Sequence, residues 1–278
     1  MPRGAMMKAA VAKYAWSGKV FVQYGMKRSG NHAIINWLLT KLEATEFNNV
    51  VPMGEVYAGN CDVPDYPEFL SWYFSKPPTR EKAGRGPASG FGAIRHPVYA
   101  TFEDISGHND FFRENAPTRI LVIRSFENMM SSRIRKSFNV DMAAYPQTVG
   151  TVMSRVIETW KTHAAWYLAE EASGAERVAI HFDSWCVDRS YRDEICRALS
   201  VAPGDEVLSR VSDTGGGSSF DGTKYDGDAN SMAVDKRRDA LTERERALLD
   251  QVMADTELRA LADRVETADP HRQLRAKP

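Results

Sequence analysis

The sequence predicts a single α/β domain in which helices flank a central parallel β-sheet. Three short runs, residues 19–24, 119–123 and 177–182, are rich in β-branched and apolar residues, which is typical of buried strands. A segment with helical character follows each of them, and this alternation favours a parallel sheet covered on both faces. No shift in composition marks a domain boundary. We therefore predict one domain over residues 1–278, with residues 1–17 as a candidate flexible tail.

The N-terminal half begins with the clearest pair of elements. Residues 19–24 predict a strand, and residues 33–42 are apolar on nearly every side, which indicates a helix buried against a sheet. Residues 51–87 are rich in proline and predict an irregular surface lobe. The second apolar run, residues 119–123, predicts a central strand, and residues 127–136 predict the helix that follows it.

The C-terminal half continues the alternation. Residues 148–172 are rich in Trp, Tyr and Ala and predict a long helix, and the strand at 177–182 leads into a helix through Ile195 and Leu199. Residues 212–230 carry many Gly, Ser and Asp residues, which is typical of a long loop that is either functional or disordered. Helix is expected again from Thr242 onward.

The bulk composition narrows the class of protein. Hydrophobic residues make up 43% and charged residues 26% of the 278 positions, as in ordinary soluble globular proteins. The net charge of −1 and the lack of a basic stripe with interleaved aromatics argue against nucleic-acid binding. No run approaches the roughly 18 apolar residues of a membrane span. Three cysteines without a C-x-x-C pair favour a reducing compartment, so a cytoplasmic location is expected. The sequence predicts no oligomeric state.

The segment between the first strand and its helix has the pattern of an anion site. Gly25 and Gly30 have the G-x-x-x-x-G spacing of a P-loop, but Asn31 and His32 follow, not the Lys and Ser/Thr that bind nucleotide triphosphates with Mg²⁺. The positive charge lies within the loop instead, and a helix N-terminus favours anions. This predicts metal-independent binding of a phosphate and a transferring group through two basic side chains, Lys27 and Arg28. A plain basic turn is the alternative.

Residues 28–32, Arg-Ser-Gly-Asn-His, resemble the 5′-phosphosulfate loop of the sulfotransferases that use 3′-phosphoadenosine 5′-phosphosulfate (PAPS). That family usually has a basic residue followed by Ser-Gly-Thr-Thr, and its fold is similar to that of P-loop nucleotide triphosphatases. Asn31 and His32 replace the two threonines, and both side chains are able to donate hydrogen bonds to phosphate. The resemblance implies that PAPS, or its product 3′-phosphoadenosine 5′-phosphate (PAP), binds at Lys27, Arg28, Ser29, Gly30, Asn31 and His32.

Two further segments extend the resemblance to roughly residues 19–225. Arg124 at the end of the second strand and Ser132 eight positions later are similar to the family's 3′-phosphate motif; a surface arginine and an ordinary helical serine are the alternative. Residues 215–225 are similar to the C-terminal segment that closes over the 3′-phosphate, with Phe220 expected to stack on the base and Lys224 as the available cation. The residues implied there are Gly217, Ser218, Ser219 and Phe220. A flexible linker is the alternative.

The resemblance also implies a general base that takes the proton from the acceptor's hydroxyl or amine. Glu103 holds the corresponding place, with His108 second and His96 third. The triplet at His181 replaces a Tyr-Glu-Asp of many members and could place this histidine near adenine or serve only the fold. The reaction implied is sulfuryl transfer from PAPS to a small-molecule or glycan acceptor, without a metal, with Lys27 and Arg28 stabilising charge on the leaving group.

Two other functions remain compatible with the sequence. A P-loop kinase or nucleoside triphosphatase would share the strand, loop and helix, although the residues after Gly30 argue against it. A sulfotransferase relative that binds PAP without turnover is the second. Residues 51–87 and 107–116 are expected to line the acceptor site, because variable loops carry specificity.

Overall fold

A computed structural model describes residues 20–42, 45–47, 98–102, 118–138, 146–169, 176–205, 207–211 and 217–268. The predicted tail and the proline-rich segment at residues 51–87 lie outside these ranges. Within them, no helix combines the length and the apolar character needed to cross a membrane.

The described chain alternates strands and helices, which confirms the predicted α/β class. Its strands are β1 (Val20–Gly25), β2 (Thr45–Phe47), β3 (Val98–Phe102), β4 (Thr118–Ile123) and β5 (Glu176–His181). Its α-helices are α1 (Asn31–Leu42), α2 (Phe126–Arg133), α3 (Pro146–Leu168), α4 (Phe182–Val187), α5 (Arg189–Leu199), α6 (Glu243–Val252) and α7 (Thr256–Thr267). A π-helical turn (Ile134–Phe138) extends α2, and a short 3₁₀ helix spans Ala229–Ser231.

The five strands have the order β2-β3-β1-β4-β5 in one sheet. Strand β1 pairs in parallel with β3 from Val20 opposite Val98 to Tyr24 opposite Phe102. Strand β2 pairs in parallel with β3 on its other side. These pairings confirm the expectation of a parallel sheet for β1, β2 and β3. Strand β1 lies inside the sheet, where its apolar residues are buried.

Two predicted helices are divided because side chains cap new helix starts. The helix expected after β5 is divided at Asp188, whose carboxylate accepts a hydrogen bond from the backbone N–H of Tyr191 at 3.1 Å and so begins α5. The helix expected from Thr242 is also two helices. Thr242 and Glu245 form a capping box at the start of α6, and Asp255 caps α7.

The chain divides into two compact units. The first contains the described residues of Met1–Tyr24, Leu38–Ile120 and Gly174–Val178, and its buried side chains include Phe21, Val22 and Tyr99. The second contains Gly25–Trp37, Leu121–Ser173 and Ala179–Pro278. The single domain predicted from the sequence stays a prediction.

The second unit has its own hydrophobic core, and Phe220 of a segment predicted to bind the nucleotide packs against it. Helix α2 contributes Phe126, and α3 contributes Trp160, whose rings meet edge to face with centroids 5.0 Å apart. The indole N–H of Trp160 donates to the backbone oxygen of Arg124 at 3.1 Å. A fully buried side chain of α3 therefore bonds the backbone at the end of β4. Other members of this core are Met26, Ile123, Met129, Met130, Ile134, Leu249, Leu258 and Val265.

Candidate functional site

The segment between β1 and α1, residues 25–31, is named here the basic loop. Its chain reverses through two residues with positive φ, Arg28 at 73° and Gly30 at 88°. The backbone N–H of Ser29 donates to the oxygen of Met26 at 3.1 Å, which closes a tight turn. The N–H of Ala33 then bonds the oxygen of Gly30 at 3.1 Å, so the helix begins directly after the turn. This is the strand, loop and helix arrangement that the spacing of Gly25 and Gly30 predicts.

Asn31 fixes the basic loop from within. Its Nδ2 donates to the backbone oxygens of Gly25 at 2.8 Å and Met26 at 3.0 Å. A Cβ atom at position 25 would lie 1.9 Å from Asn31 Oδ1, so glycine is required there for the asparagine to approach. The resemblance suggested Asn31 as a hydrogen-bond donor to phosphate, but in the structure both amide hydrogens bond the protein's own carbonyls.

Gly30 is required for a second close contact. A Cβ atom at this position would lie 2.1 Å from the ring of Phe182, the first residue of α4. The guanidinium carbon of Arg124 lies 5.2 Å from the centroid of the same ring. Phe182 therefore packs against Gly30 of the basic loop, and its ring also faces the guanidinium of Arg124 at the end of β4. The triplet 181–183 therefore contributes to the site through Phe182, a role that was not predicted from the sequence.

Arg124 joins the two predicted phosphate motifs. Its Nη1 donates to the hydroxyl of Ser132 at 3.3 Å and to the backbone oxygen of Arg28 at 3.2 Å, while Nη2 donates to the oxygen of Val234. The residue is only 5% exposed. The structure thus brings together Arg124, Ser132 and the basic loop.

Asp183 holds Arg124 in this position, a role that was not predicted from the sequence. Its Oδ1 lies 3.1 Å from Arg124 Nε, and its Oδ2 accepts the backbone N–H of Ser125 at 3.0 Å. Burial by itself would raise the pKa of Asp183, but Arg124 and Ser125 outweigh it and the pKa lies below its ordinary value of 3.8. A charged Asp183 therefore balances a buried guanidinium.

The carbonyl groups of the basic loop face protein donors. Those of Gly25 and Met26 bond Asn31, that of Arg28 bonds Arg124, and that of Lys27 accepts from Nε of Arg133 at 3.3 Å. Carbonyl oxygens repel anions, so a loop that receives an anion must direct them elsewhere. The basic loop meets this requirement over four consecutive residues, and it adjoins the positive end of a 12-residue helix.

Ser29 adds a buried donor to the basic loop. The residue is 1% exposed, and its hydroxyl has no hydrogen-bond partner among the described residues. A buried polar group without a hydrogen-bond partner destabilises the fold unless a ligand or water bonds it. Lys27 is exposed, and Arg28 and His32 are half-buried. An anion in the basic loop would fit this set of a hydroxyl, backbone N–H groups and two cations.

The third predicted segment contains a compact turn, residues 217–222, named here the glycine turn. Ser218 and Gly222 exchange backbone hydrogen bonds of 2.9 and 3.0 Å, and the Ser218 hydroxyl accepts the N–H groups of Phe220 and Asp221 at 3.2 Å. A Cβ at Gly217, where φ is 73°, would lie 2.5 Å from the oxygen of Gly222. These bonds give residues 217–222 a defined turn conformation.

The glycine turn is contacted by a cation other than the expected Lys224. The ammonium of Lys224 lies over the ring of Tyr225. Arg237 reaches the turn instead, bonding Asp221 at 2.9 Å and the Ser218 hydroxyl at 3.3 Å. This residue belongs to a basic run at 236–238, which was the signal available in the sequence.

Phe220 does not present an uncovered ring in this structure. The guanidinium carbons of Arg135 and Arg237 lie 5.0 and 4.9 Å from its centroid, and the side chain packs against the hydrophobic core. These contacts are cation–π interactions within the protein. Stacking of Phe220 on an adenine stays a prediction. Ser219 lies half-buried in the glycine turn.

The three candidate bases, Glu103, His108 and His96, lie outside the described residues. His181 is described and buried at the end of β5, where its ring centroid lies 6.0 Å from that of Tyr167. Among the residues that the structure describes, no group of three or more His, Cys, Asp or Glu side chains has an arrangement that could hold a metal ion.

Comparison with known proteins adds no relative: no family model, no curated protein and no solved structure matches this chain.

Proposed function

We propose that this chain is a PAPS-dependent sulfotransferase that transfers a sulfuryl group to a hydroxyl or amine of a small-molecule or glycan acceptor and releases PAP. The observation that carries this proposal is the position of Arg124. One guanidinium contacts the hydroxyl of Ser132 and the backbone of Arg28. Two motifs that lie almost a hundred residues apart in the sequence therefore meet at one point, which supports a single binding site formed by both.

The basic loop supports binding of the 5′-phosphosulfate. Its carbonyls bond Asn31, Arg133 and Arg124, so they are directed away from an incoming anion. The buried hydroxyl of Ser29 lacks a partner among the described residues, and a phosphate oxygen would supply one. Lys27 and Arg28 provide the positive charge.

The chemistry assigned to these residues follows from charge. As the acceptor oxygen or nitrogen forms its bond to sulfur, the bond between sulfur and the bridging oxygen of the donor breaks, and negative charge develops on that oxygen. Lys27 and Arg28 would stabilise this charge. The acceptor's proton leaves to a general base, for which Glu103 is the first candidate and His108 and His96 follow.

Arg124 and Ser132 would hold the 3′-phosphate. Four of the five N–H groups of Arg124 bond Asp183, Arg28, Ser132 and Val234 in this structure. A phosphate at this position would take the remaining Nη2–H or replace one of the neutral acceptors. The charged hydrogen bond to phosphate is stronger than the bond to a carbonyl oxygen that it would replace.

The test is calorimetric titration of the full chain with PAP in the absence of magnesium. We expect micromolar affinity in the wild type and a loss of about tenfold or more in Arg124→Ala, because a hydrogen-bonded charge is removed from the phosphate. Ser132→Ala removes one hydroxyl while leaving the bond between Arg124 and Asp183, so it tests the motif without uncovering a buried carboxylate. The matched control is Arg238→Ala, which removes a partly exposed arginine paired with Glu127 and Asp250 and should bind PAP normally.

Turnover separates the remaining alternatives. Transfer of labelled sulfate from PAPS to any member of an acceptor panel would support the proposal. Retained PAP binding without transfer on the panel would favour a non-catalytic relative. No PAP binding by a folded wild-type sample, together with Mg²⁺-dependent hydrolysis of ATP, would overturn the proposal in favour of a nucleoside triphosphatase.

A further inference from the structure

Residues 234–237, named here the strap, cross the start of α2. Arg124 donates to the backbone oxygen of Val234. One helical turn later, Asn128 Nδ2 donates to the oxygen of Asp235 at 3.0 Å, and Asn128 Oδ1 accepts the backbone N–H of Arg237 at 3.0 Å. A single amide side chain therefore bonds the strap on both its donor and its acceptor side.

Burial makes this contact specific. Asn128 is 7% and Arg237 is 6% exposed, so water cannot readily replace either bond when it is lost. An amide that pairs with a backbone N–H and a backbone C=O two residues apart fixes the position of the strap along its own direction. A shift of the strap by one residue would move the Asp235 oxygen and the Arg237 N–H away from the amide and break both bonds.

Arg237 carries that position on to the glycine turn. Its guanidinium bonds the Asp221 carboxylate and the Ser218 hydroxyl, and it lies over the ring of Phe220. The planar group has donors in fixed directions. The position of the Arg237 backbone, which Asn128 sets, therefore determines where the glycine turn can be held.

We propose that Asn128 is a positioning residue that, through the strap and Arg237, holds the glycine turn in place and so sets the affinity for the 3′-phosphate of the nucleotide. The link to the 3′-phosphate rests on the proposed function, whereas the mechanical link from Asn128 to the glycine turn does not. Asn128 need not touch the nucleotide in this role. A purely local structural role would leave the discrimination between nucleotides unchanged.

The first measurement is hydrogen–deuterium exchange of the full chain without a ligand. Asn128→Ala removes both bonds to the strap, and we expect faster exchange of the backbone amides at residues 217–222 and 234–237 in a sample that otherwise exchanges like the wild type. Glu127→Gln is the matched control, because it changes the neighbouring residue, whose carboxylate bonds Arg238 after the strap. If Asn128→Ala exchanges like the wild type at residues 217–222, the mechanical link is wrong.

The second measurement compares two nucleotides that differ at the 3′ position. PAP carries the 3′-phosphate and adenosine 5′-monophosphate lacks it, and the affinity ratio between them reports that phosphate alone. We expect Asn128→Ala to lower this ratio about tenfold, with binding of the monophosphate unchanged, while Glu127→Gln keeps the wild-type ratio. Arg237→Lys, which retains charge but not the fork of donors, should lower the ratio in the same direction.

The outcomes separate the two proposals. Faster exchange with an unchanged nucleotide ratio would overturn the role in 3′-phosphate binding while leaving the mechanical link standing. Failure of the wild type to bind PAP would overturn the proposed function, and the exchange data would then judge the link from Asn128 to the glycine turn by themselves.

Discussion

The basic loop and the glycine turn are built from similar residues but are held in different ways. Each combines a serine with a glycine of positive φ. The clamp of the basic loop, Asn31, is part of the loop and bonds carbonyls five and six residues before it. The clamp of the glycine turn, Arg237, comes from 16 and 19 residues further along the chain. It reaches the turn only because the strap passes over α2.

This difference explains why one region could be recognised more fully than the other. When a loop is bonded by its own residues, the partners lie within a short stretch of sequence and their spacing along the chain brings them together. A turn bonded by a residue from another segment depends on where that segment lies, and the residues of the turn itself do not indicate it. The sequence therefore indicated Lys224, which closely follows the turn in the chain, and gave no role to Arg237.

The largest effect should come from Asp183, whose partner Arg124 contacts both the basic loop and the strap. Asp183→Asn leaves a buried guanidinium without its counter-charge, and we expect the free energy of unfolding at pH 7 to fall by about 3–5 kcal/mol. Urea denaturation measures this change. Asp250→Asn is the control, because it breaks an exposed pair with Arg238 and should cost less than about 1 kcal/mol.

Acid should remove the same stabilisation in the wild type. The folded-state pKa of Asp183 lies below the ordinary 3.8, so its contribution is complete above that value and is lost as the pH falls below it toward the folded-state pKa. The difference in unfolding free energy between wild type and Asp183→Asn should therefore narrow below pH 3.8. A difference that stays constant down to the acid end of the folded range would contradict this role.

A smaller effect, confined to the basic loop, is expected for Gly30→Ala. The new Cβ would meet the ring of Phe182 at 2.1 Å with φ at 88°, and we expect a loss of about 2–4 kcal/mol in unfolding free energy. Gly227→Ala is matched in conformation, with φ at 92°, but has no atom within 4 Å of the added Cβ, so it should cost about 1 kcal/mol. Equal losses in thermal or urea unfolding would show that Phe182 does not pack against the loop.

The smallest of these effects should follow from Asn31→Asp, which tests the internal clamp. A carboxylate cannot donate to the oxygens of Gly25 and Met26, so we expect a loss of about 1–3 kcal/mol in unfolding free energy together with weaker PAP binding. Asn36→Asp makes the same chemical change on the exposed side of α1 and should alter neither. Normal PAP affinity in Asn31→Asp would mean that the clamp does not shape the anion site.

Most of the secondary structure could be predicted from the apolar pattern, because the side chains that β1, α1, β4 and β5 bury are mainly apolar. The errors lie at helix ends. Capping groups at Asp188 and Asp255 divide segments that a hydrophobic pattern joins. Such caps compete with the continuation of a helix by hydrogen bonds worth about 1 kcal/mol, which the apolar pattern does not register.

The sequence by itself determined the α/β architecture and the placement of a basic turn between β1 and α1, since each depends on spacing within one or two adjacent elements; the pairing of Arg124 with Ser132 was implied by the family resemblance. Only the tertiary structure decided that Asp183 balances Arg124, that Phe182 requires Gly30 and that Asn128 and Arg237 hold the glycine turn. Those contacts join residues from 16 to 152 positions apart. Their partners depend on how the strand ends, helices and strap of the second unit pack around its core, and local sequence does not show this packing.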